Sequence, residues 1–437
     1  TNNGGYPTGY LTAATRYGVA AGVSNAVVGT NANRGTIAQL LINAIDTPIM
    51  AQSKWNTDGT VEYEIYDGKT NVYKTLMSEN LSTVKLRGVV VENSYVSFTN
   101  SNKTIATDKD AEVGILLTSS YDTNNKTFAY SETYSNGVNN GYYGEIRSNV
   151  TRYFLAGDTD AEAYLGQSVI FYVKETSNSK WEIQSLSVDT ARNETVSFNL
   201  DQYYSYSETT PTTGSTYLST LEYYKNSTDN STTKATIADD AIYVYNNTND
   251  DSRDYGKLFA KTAADDANAI VDFNGKTLQG GTVTLINNNA DTKYDIVMVE
   301  LASVAVVDEV NDDGIVFKNS AEGYEIKTAG ADTISFTDVD VDAEDFTKMV
   351  SIVKDGKEIE YTELKEWDVL SVITSKEGAD YIEIDVISNP ITGSVTATKT
   401  SKTSHGGVAY KIDGKTYDVA AGAYGMDGIE VGDGGTF

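Results

Sequence analysis

The chain has 437 residues, of which 62 are acidic and 33 basic, giving a formal net charge of −29. A charge of this sign repels nucleic acid and anionic lipid, so we expect neither as a partner, and no apolar run reaches the ~18–20 residues that membrane insertion needs. The absence of cysteine excludes disulfide frameworks, zinc fingers, cysteine nucleophiles and iron–sulfur sites.

The first fifty residues are patterned as two short helices around a Gly-rich loop. One helix is predicted over residues 10–17, where apolar residues recur at the spacing of one helical face, with Gly18 as its C-cap. The other is predicted over residues 34–45 and is closed by Asp46 and Pro48. Two such helices bury little apolar surface alone, so we expect the pair to need neighbours, such as sister repeats.

After the helices the hydrophobic period changes to two, as in β-strands. Val61, Tyr63 and Ile65 alternate with more polar residues, and Asp67-Gly68 is predicted to turn the chain, which gives a hairpin arm. The remainder consists of short strand patterns separated by turns. The sequence therefore predicts a mainly β protein, with tandem small β-sandwich or β-barrel-like modules behind a short N-terminal α-helical segment.

A weak internal repeat runs through the β region. Each copy has a Leu, a turn, a strand, a polar turn and a second strand, and the copies lie at residues 165–186, 278–299 and 364–386. Their spacing of ~85–115 residues indicates tandem β domains, since solenoid repeats have periods of ~20–50 residues. We predict six segments: helical 1–50, hairpin connector 51–85, a β module with insertions 86–200, a Tyr-, Asn- and Thr-rich β module 201–302, a β module 303–389 and an incomplete β module 390–437. We expect the full protein to extend beyond both ends of this chain.

Three motifs stand out in the first fifty residues: Gly-Tyr-Pro-Thr-Gly-Tyr at 5–10, Tyr-Gly-Val-Ala-Ala-Gly at 17–22, and Asn-Arg-Gly-Thr-Ile-Ala-Gln-Leu-Leu at 33–41. They resemble an S-layer homology (SLH) repeat, which has a helix, a Gly-rich loop and a Thr-Arg-Ala-Glu-like start to its second helix. Such repeats usually occur in threes and bind pyruvylated secondary polysaccharides of Gram-positive cell walls. The resemblance implies Tyr10, Arg34, Gly35 and Thr36 as the residues that bind this glycan. Arg34 matches the family's arginine, whereas Thr36 stands where the family often has Glu.

Arg34 has two interpretations. A cation at a helix N-terminus is unfavourably placed in the helix dipole, so we expect it to have a partner. That partner is either the anionic wall glycan, bound by charge-assisted hydrogen bonds, or a carboxylate inside the repeat, and the two are compatible.

Acidic clusters make Ca²⁺ the cofactor to expect. Within residues 337–345, aspartates alternate along a predicted strand, where like charges on one face repel unless a cation lies between them. Further clusters lie at 158–162, 249–254 and 308–313, and the alternative for each is a solvated turn. The candidate metal ligands are Asp338, Asp340, Asp342, Asp250, Asp251, Asp254, Asp312 and Asp313.

Catalysis is not predicted. The one histidine, His405, lies in a polar loop, and no Gly-x-Ser-x-Gly, P-loop or His-Glu-x-x-His motif is present. Tyrosines such as Tyr203, Tyr204 and Tyr206 either stack on sugars or pack within strands.

These features favour an extracellular structural protein of a Gram-positive-type cell wall, an S-layer protein. The resemblance implies anchoring to cell-wall polysaccharide, and the β modules would self-assemble into a lattice, helped by calcium. The alternative is a surface adhesin or glycan-binding protein that uses the Tyr-rich stretch. A further alternative is the non-catalytic part of a wall-anchored hydrolase; the β modules look like those of clostridial-type surface proteins.

Overall fold

The computed structural model describes residues 6–23, 29, 31–66, 74–94, 96–98, 112–119, 121–122, 127–128, 151–176, 180–209, 218–225, 231–246, 248–249, 280–312, 314–318, 333–335, 350–374, 382–387, 389–400, 408–419, 425 and 428–437. Within these residues the protein is mainly β, which confirms the fold class predicted from the sequence. The α-helices are α1 (Thr8–Arg16), α2 (Arg34–Ile45) and α3 (Leu76–Leu81).

The strands, in chain order, are β1 (Met50–Trp55), β2 (Val61–Ile65), β3 (Thr83–Glu92), β4 (Glu112–Ser119), β5 (Tyr121–Asp122), β6 (Thr127–Phe128), β7 (Thr151–Leu155), β8 (Ser168–Glu175), β9 (Trp181–Val188), β10 (Glu194–Asn199), β11 (Tyr203–Thr209), β12 (Leu218–Tyr224), β13 (Thr232–Tyr245), β14 (Thr248–Asn249), β15 (Gly280–Asn287), β16 (Tyr294–Asn311), β17 (Gly314–Phe317), β18 (Thr333–Ser335), β19 (Val350–Lys354), β20 (Lys357–Glu358), β21 (Val369–Thr374), β22 (Ile382–Ile387), β23 (Thr392–Thr400), β24 (Val408–Ile412), β25 (Lys415–Asp418) and β26 (Gly434–Thr436).

The chain divides into two compact units. The first comprises Thr1–Val89, Gly114–Ala161 and Val169–Ser187, and the second comprises Val90–Val113, Glu162–Ser168 and Val188–Phe437. The six segments predicted from the sequence are a finer division, and they stay a prediction.

The first unit holds the three helices, a hairpin and most of a closed barrel with strand order β3-β4-β7-β9-β8. Large side chains of these strands are almost fully buried: Leu86, Ile115, Phe154, Phe171 and Ile183. The rings of Phe154 and Phe171 meet edge to face, with centroids 5.3 Å apart. The barrel therefore has a packed aromatic and aliphatic core.

The hairpin arm is formed by β1 and β2. Strand β2 pairs with β1, which precedes it, so the turn lies at residues 56–60. Asp58 stabilises this turn by accepting the Thr60 N–H at 2.9 Å, and Gly59 supplies a φ of 83°. The turn predicted at Asp67-Gly68 lies outside the described residues.

The second unit is organised around one strand, β16, which is 18 residues long. Its first half pairs with β13 and β15, and its second half pairs with β21 and β17. The partners change between Ala302 and Ser303, where the sequence analysis placed a module boundary. The backbone runs through that boundary without a break in the strand.

One face of β16 lines two hydrophobic cores in succession, because alternate side chains of a strand point the same way. Val297 and Val299 belong to a core with Tyr203, Leu221, Ile237 and Leu285. Farther along, Ala305 and Val307 belong to a second core with Ile315, Ile352, Leu370 and Ile384. A separate small core, with Val395 and Ile412, lies in the last sheet, whose strand order is β25-β24-β23-β26.

A tight turn recurs three times in the second unit. In each copy a valine accepts the N–H of a residue at positive φ and donates its own N–H to the carbonyl of the next residue. The three sets are Val90 with Gly166 and Gln167, Val307 with Trp367 and Asp368, and Val395 with Gly432 and Asp433; the φ angles are 82°, 75° and 109°.

The third copy of this turn, at Gly432 and Asp433, is not among the repeats predicted from the sequence. In the second and third copies the aspartate also accepts the N–H three residues earlier, from Lys365 at 3.0 Å and from Glu430 at 2.8 Å. The third copy is hard to recognise because the strand that follows it, β26, is an exposed Gly-Gly-Thr without the apolar alternation of the others.

Gly281 gives a test of the packing beside β16. It has a φ of 121°, and a Cβ there would overlap the carbonyl oxygen of Glu300. We expect Gly281→Ala to lower the free energy of unfolding by at least about 3 kcal/mol, since alanine is strained at positive φ and the strands must move apart. Gly356→Ala is the matched control, with a φ of 74° and no heavy atom within 4 Å, and should cost about 1–2 kcal/mol. Urea denaturation measures both; equal losses would contradict the close approach of β15 and β16.

Candidate functional site

Helix α2 begins at Arg34, as predicted, behind an asparagine cap. Asn33 has an extended backbone, and its side-chain oxygen accepts the Thr36 N–H at 2.7 Å. A Cβ on Gly35 would lie 3.4 Å from the same oxygen, so glycine leaves room beside the cap. The residues implied by the resemblance, Arg34, Gly35 and Thr36, thus form the first turn of a helix, where unpaired N–H groups and the helix dipole favour an anion.

The loop that follows α1 is held against α2 by Asn43, a residue that the sequence analysis did not single out. Its side-chain nitrogen donates to the carbonyls of Val19 and Ala21, at 3.0 and 2.8 Å. Gln39, one helical turn earlier, donates to the Asn43 side-chain oxygen at 3.0 Å. The available signal was a pair of amides four residues apart within an otherwise apolar helix.

Arg34 is exposed, and it forms no ion pair with any carboxylate of the described residues. The internal partner considered from the sequence is therefore not found within them. Tyr10 is 70% exposed and its ring meets that of Tyr6 edge to face, with centroids 5.8 Å apart. No hydrogen bond, ion pair or ring contact of the described residues joins Tyr10 to Arg34. Of the four implied residues, Arg34, Gly35 and Thr36 therefore lie together in one helical turn, and Tyr10 is not joined to them.

The helix pair leaves much apolar surface in solvent. Helix α2 has no buried residue, and α1 buries only Gly9. The exposed large side chains are Tyr6, Tyr10, Leu11, Ile37, Leu41 and Ile42. This agrees with the expectation that the pair buries little by itself.

Asp46, at the end of α2, fastens the helix to the barrel. It pairs with Lys85 of β3 and accepts a hydrogen bond from the Tyr172 hydroxyl of β8 at 2.6 Å. The Lys85 ammonium also lies 5.4 Å from the centroid of the Tyr172 ring. The sequence predicts only that Asp46 ends the helix, because its partners lie 39 and 126 residues away.

No sequence model of a known protein family matches the chain, and no curated protein sequence matches it significantly. The functional assignment therefore rests on the residues and their geometry. Among the described residues, no helix is both long enough and apolar enough to cross a membrane.

Most of the predicted calcium ligands lie outside the described residues: Asp338, Asp340, Asp342, Asp250, Asp251, Asp254 and Asp313. Asp312 is exposed in the turn after β16. In the part of the chain that the structure describes, no three His, Asp or Glu side chains are grouped to hold a metal ion. Asp308, from the same cluster as Asp312, binds Lys318, and Glu162 accepts the Ser94 N–H at 3.1 Å. Calcium binding stays a prediction.

The described tyrosines of the Tyr-rich stretch contribute mainly to the core. Tyr203, Tyr206 and Tyr223 are buried, and Tyr223 stacks on Phe198 with ring centroids 4.2 Å apart. Tyr204 alone of the named tyrosines in β11 is substantially exposed. For these described tyrosines, packing within strands is the alternative that the structure favours.

The Asp46 contacts predict a pH-dependent stability. Burial, followed by the hydrogen bond to Asp46 and the charge of that carboxylate, raises the pKa of the Tyr172 hydroxyl well above its ordinary value. The stability that this hydroxyl contributes is therefore complete below about pH 10, the ordinary tyrosine pKa, and is lost as the pH rises through the raised value. We expect Tyr172→Phe to cost about 1 kcal/mol at neutral pH, and its difference from wild type to narrow in strong alkali.

Urea denaturation at neutral pH and above pH ~10 measures this change. Tyr63→Phe, on the exposed side of β2, is the matched control and should alter stability in neither condition. A Tyr172→Phe difference that grows with pH would contradict the assignment.

Proposed function

We propose that the chain is a structural protein of a bacterial cell surface, an S-layer subunit or a close relative. Its N-terminal helix pair binds an anionic polysaccharide of the cell wall, and its β modules assemble with further copies outside the cell. The role is architectural, and no catalytic step is assigned to the chain.

The observation that carries this proposal is an exposed Arg34 with no ion-pair partner among the described residues, in the first turn of a helix whose other end is fixed to the barrel. The guanidinium and the N–H groups of Arg34 and Gly35, which have no partner within the helix, give fixed donors for a carboxylate or phosphate on a polymer. Because Asp46 ties the far end of α2 to β3 and β8, a load on the helix passes into folded structure. The SLH-like sequence of residues 33–41 supports the same assignment.

The β region supports an architectural role by its continuity. Strand β16 joins two cores without a flexible linker, so the two groups of strands beside it keep a fixed geometry. A subunit of a regular layer needs such rigidity, since a hinge would scatter the directions of its contacts.

Cell-wall binding is expected to depend on Arg34. We predict that Arg34→Ala weakens cosedimentation of the chain with Gram-positive cell-wall sacculi by about 10–100-fold, as expected for loss of a charge-assisted hydrogen bond of about 1.5–3 kcal/mol. Arg16→Ala removes another exposed arginine, in the last turn of α1, and should leave binding unchanged. Sacculi stripped of their secondary polysaccharide should bind neither wild type nor the two variants. Equal binding by Arg34→Ala and wild type would refute the anchoring role.

Assembly is expected to depend on a divalent cation. At a net charge of −29, copies repel one another at low salt, and calcium bridging facing carboxylates would remove that repulsion. We predict ordered assemblies in electron micrographs with calcium, and their loss in excess EDTA. Sodium chloride at matched ionic strength is the control for simple screening. Unchanged assembly in EDTA, with the metal shown to be removed, would defeat the calcium part of the proposal.

A further inference from the structure

Trp367 occupies a backbone position at which the two other copies of the recurring turn carry glycine. Its φ is 75°, in the left-handed region, which glycine adopts freely and a residue with a bulky side chain does not. Gly166 and Gly432 make the same backbone hydrogen bonds at φ 82° and 109°, so the turn itself does not require tryptophan.

Burial does not compensate for this strain. The Trp367 side chain is 61% exposed, whereas the core beside it is closed by Val307 and Leu364. A strained residue that holds a large aromatic ring in solvent is the kind of outlier that accompanies a binding function.

One face of the Trp367 indole is already covered. The Lys318 ammonium lies 3.9 Å from the ring centroid, at cation–π distance. It also donates to Asp308 at 2.7 Å and to Glu366 at 2.8 Å. These two hydrogen bonds, the one to Asp308 first, raise the pKa of Lys318, so its charge persists.

The surface around the ring is therefore rich in hydrogen-bond acceptors. The Lys318 side chain is only 9% exposed, while Asp308 and Glu366 are 50% and 58% exposed and keep lone pairs free of the lysine. What a ligand meets is the open indole face with two carboxylates beside it.

These features select the chemistry of the ligand. An anion is disfavoured, because two carboxylates outnumber the single ammonium. A second cation gains little, because Lys318 already makes a cation–π contact with the ring. An uncharged ring with an apolar C–H face and several hydroxyl donors matches the surface on every count.

We propose that Trp367, Asp308 and Glu366 form a binding site for a neutral sugar ring. The C–H face of the sugar packs on the open indole face, and its hydroxyls donate to the two carboxylates. The site is separate from the wall-binding turn at Arg34, and its existence does not depend on the function proposed above.

The test uses the full chain and isothermal titration with cellohexaose, maltohexaose and chitohexaose. At least one should bind to wild type. Trp367→Gly should weaken that binding more than tenfold while the melting temperature stays at or above that of wild type, since glycine relieves the strain. Glu366→Gln should weaken binding several-fold. Trp55→Ala, which removes another exposed tryptophan, is the matched control and should bind like wild type.

Three results would overturn the proposal. They are no binding of any of the three sugars at millimolar concentration, binding that persists in Trp367→Gly, or a lower melting temperature for that variant. If wild type instead self-associates through Trp367 and binds no sugar, the proposal is also wrong, and the surface belongs to a contact between copies.

Discussion

Strand β16 carries two hydrophobic cores on one backbone, and the order of the second unit depends on that continuity. Strands average about 5–6 residues, whereas β16 has 18. This length is possible because each half of β16 pairs with two neighbouring strands of its own. Its buried N–H and C=O groups would need new partners if either neighbouring group of strands detached. The two cores are therefore coupled through backbone hydrogen bonds as well as through packing.

This coupling places the surface features on a rigid base. Val307, in the second half of β16, holds the turn that presents Trp367, so the strained ring is anchored by a fully buried residue. In the first unit the ion pair and hydrogen bond of Asp46 fix helix α2 in a comparable way. Each proposed binding surface thus projects from an element that packing or pairing holds in place, as precise recognition requires.

Local sequence signals predicted the helices and strands better than the connections between them. The limits of α2 followed from the apolar spacing and from Asp46 and Pro48, all of which act within a few residues. Asp58-Gly59 and Asp67-Gly68 carry the same turn signal, and only strand pairing shows that the first of them joins β1 to β2.

Long-range features could not be read from the sequence in the same way. The alternating pattern of β16 looks alike on both sides of Ala302, so the sequence could not distinguish two strands from one. Positions with positive φ usually take glycine, and Trp367 departs from that preference. The turn at Trp367 is therefore recognised only by its backbone hydrogen bonds with Val307. The partners of Asp46 are brought together by barrel closure, which no local pattern encodes.

Native-state hydrogen exchange along β16 measures whether its two halves open together. Amides in both halves of the strand, before and after Ala302, should exchange through one cooperative opening, with the same free energy and the same dependence on denaturant. Two separate openings, with one half exchanging freely while the other stays protected, would contradict the account and show the two cores to be independent modules.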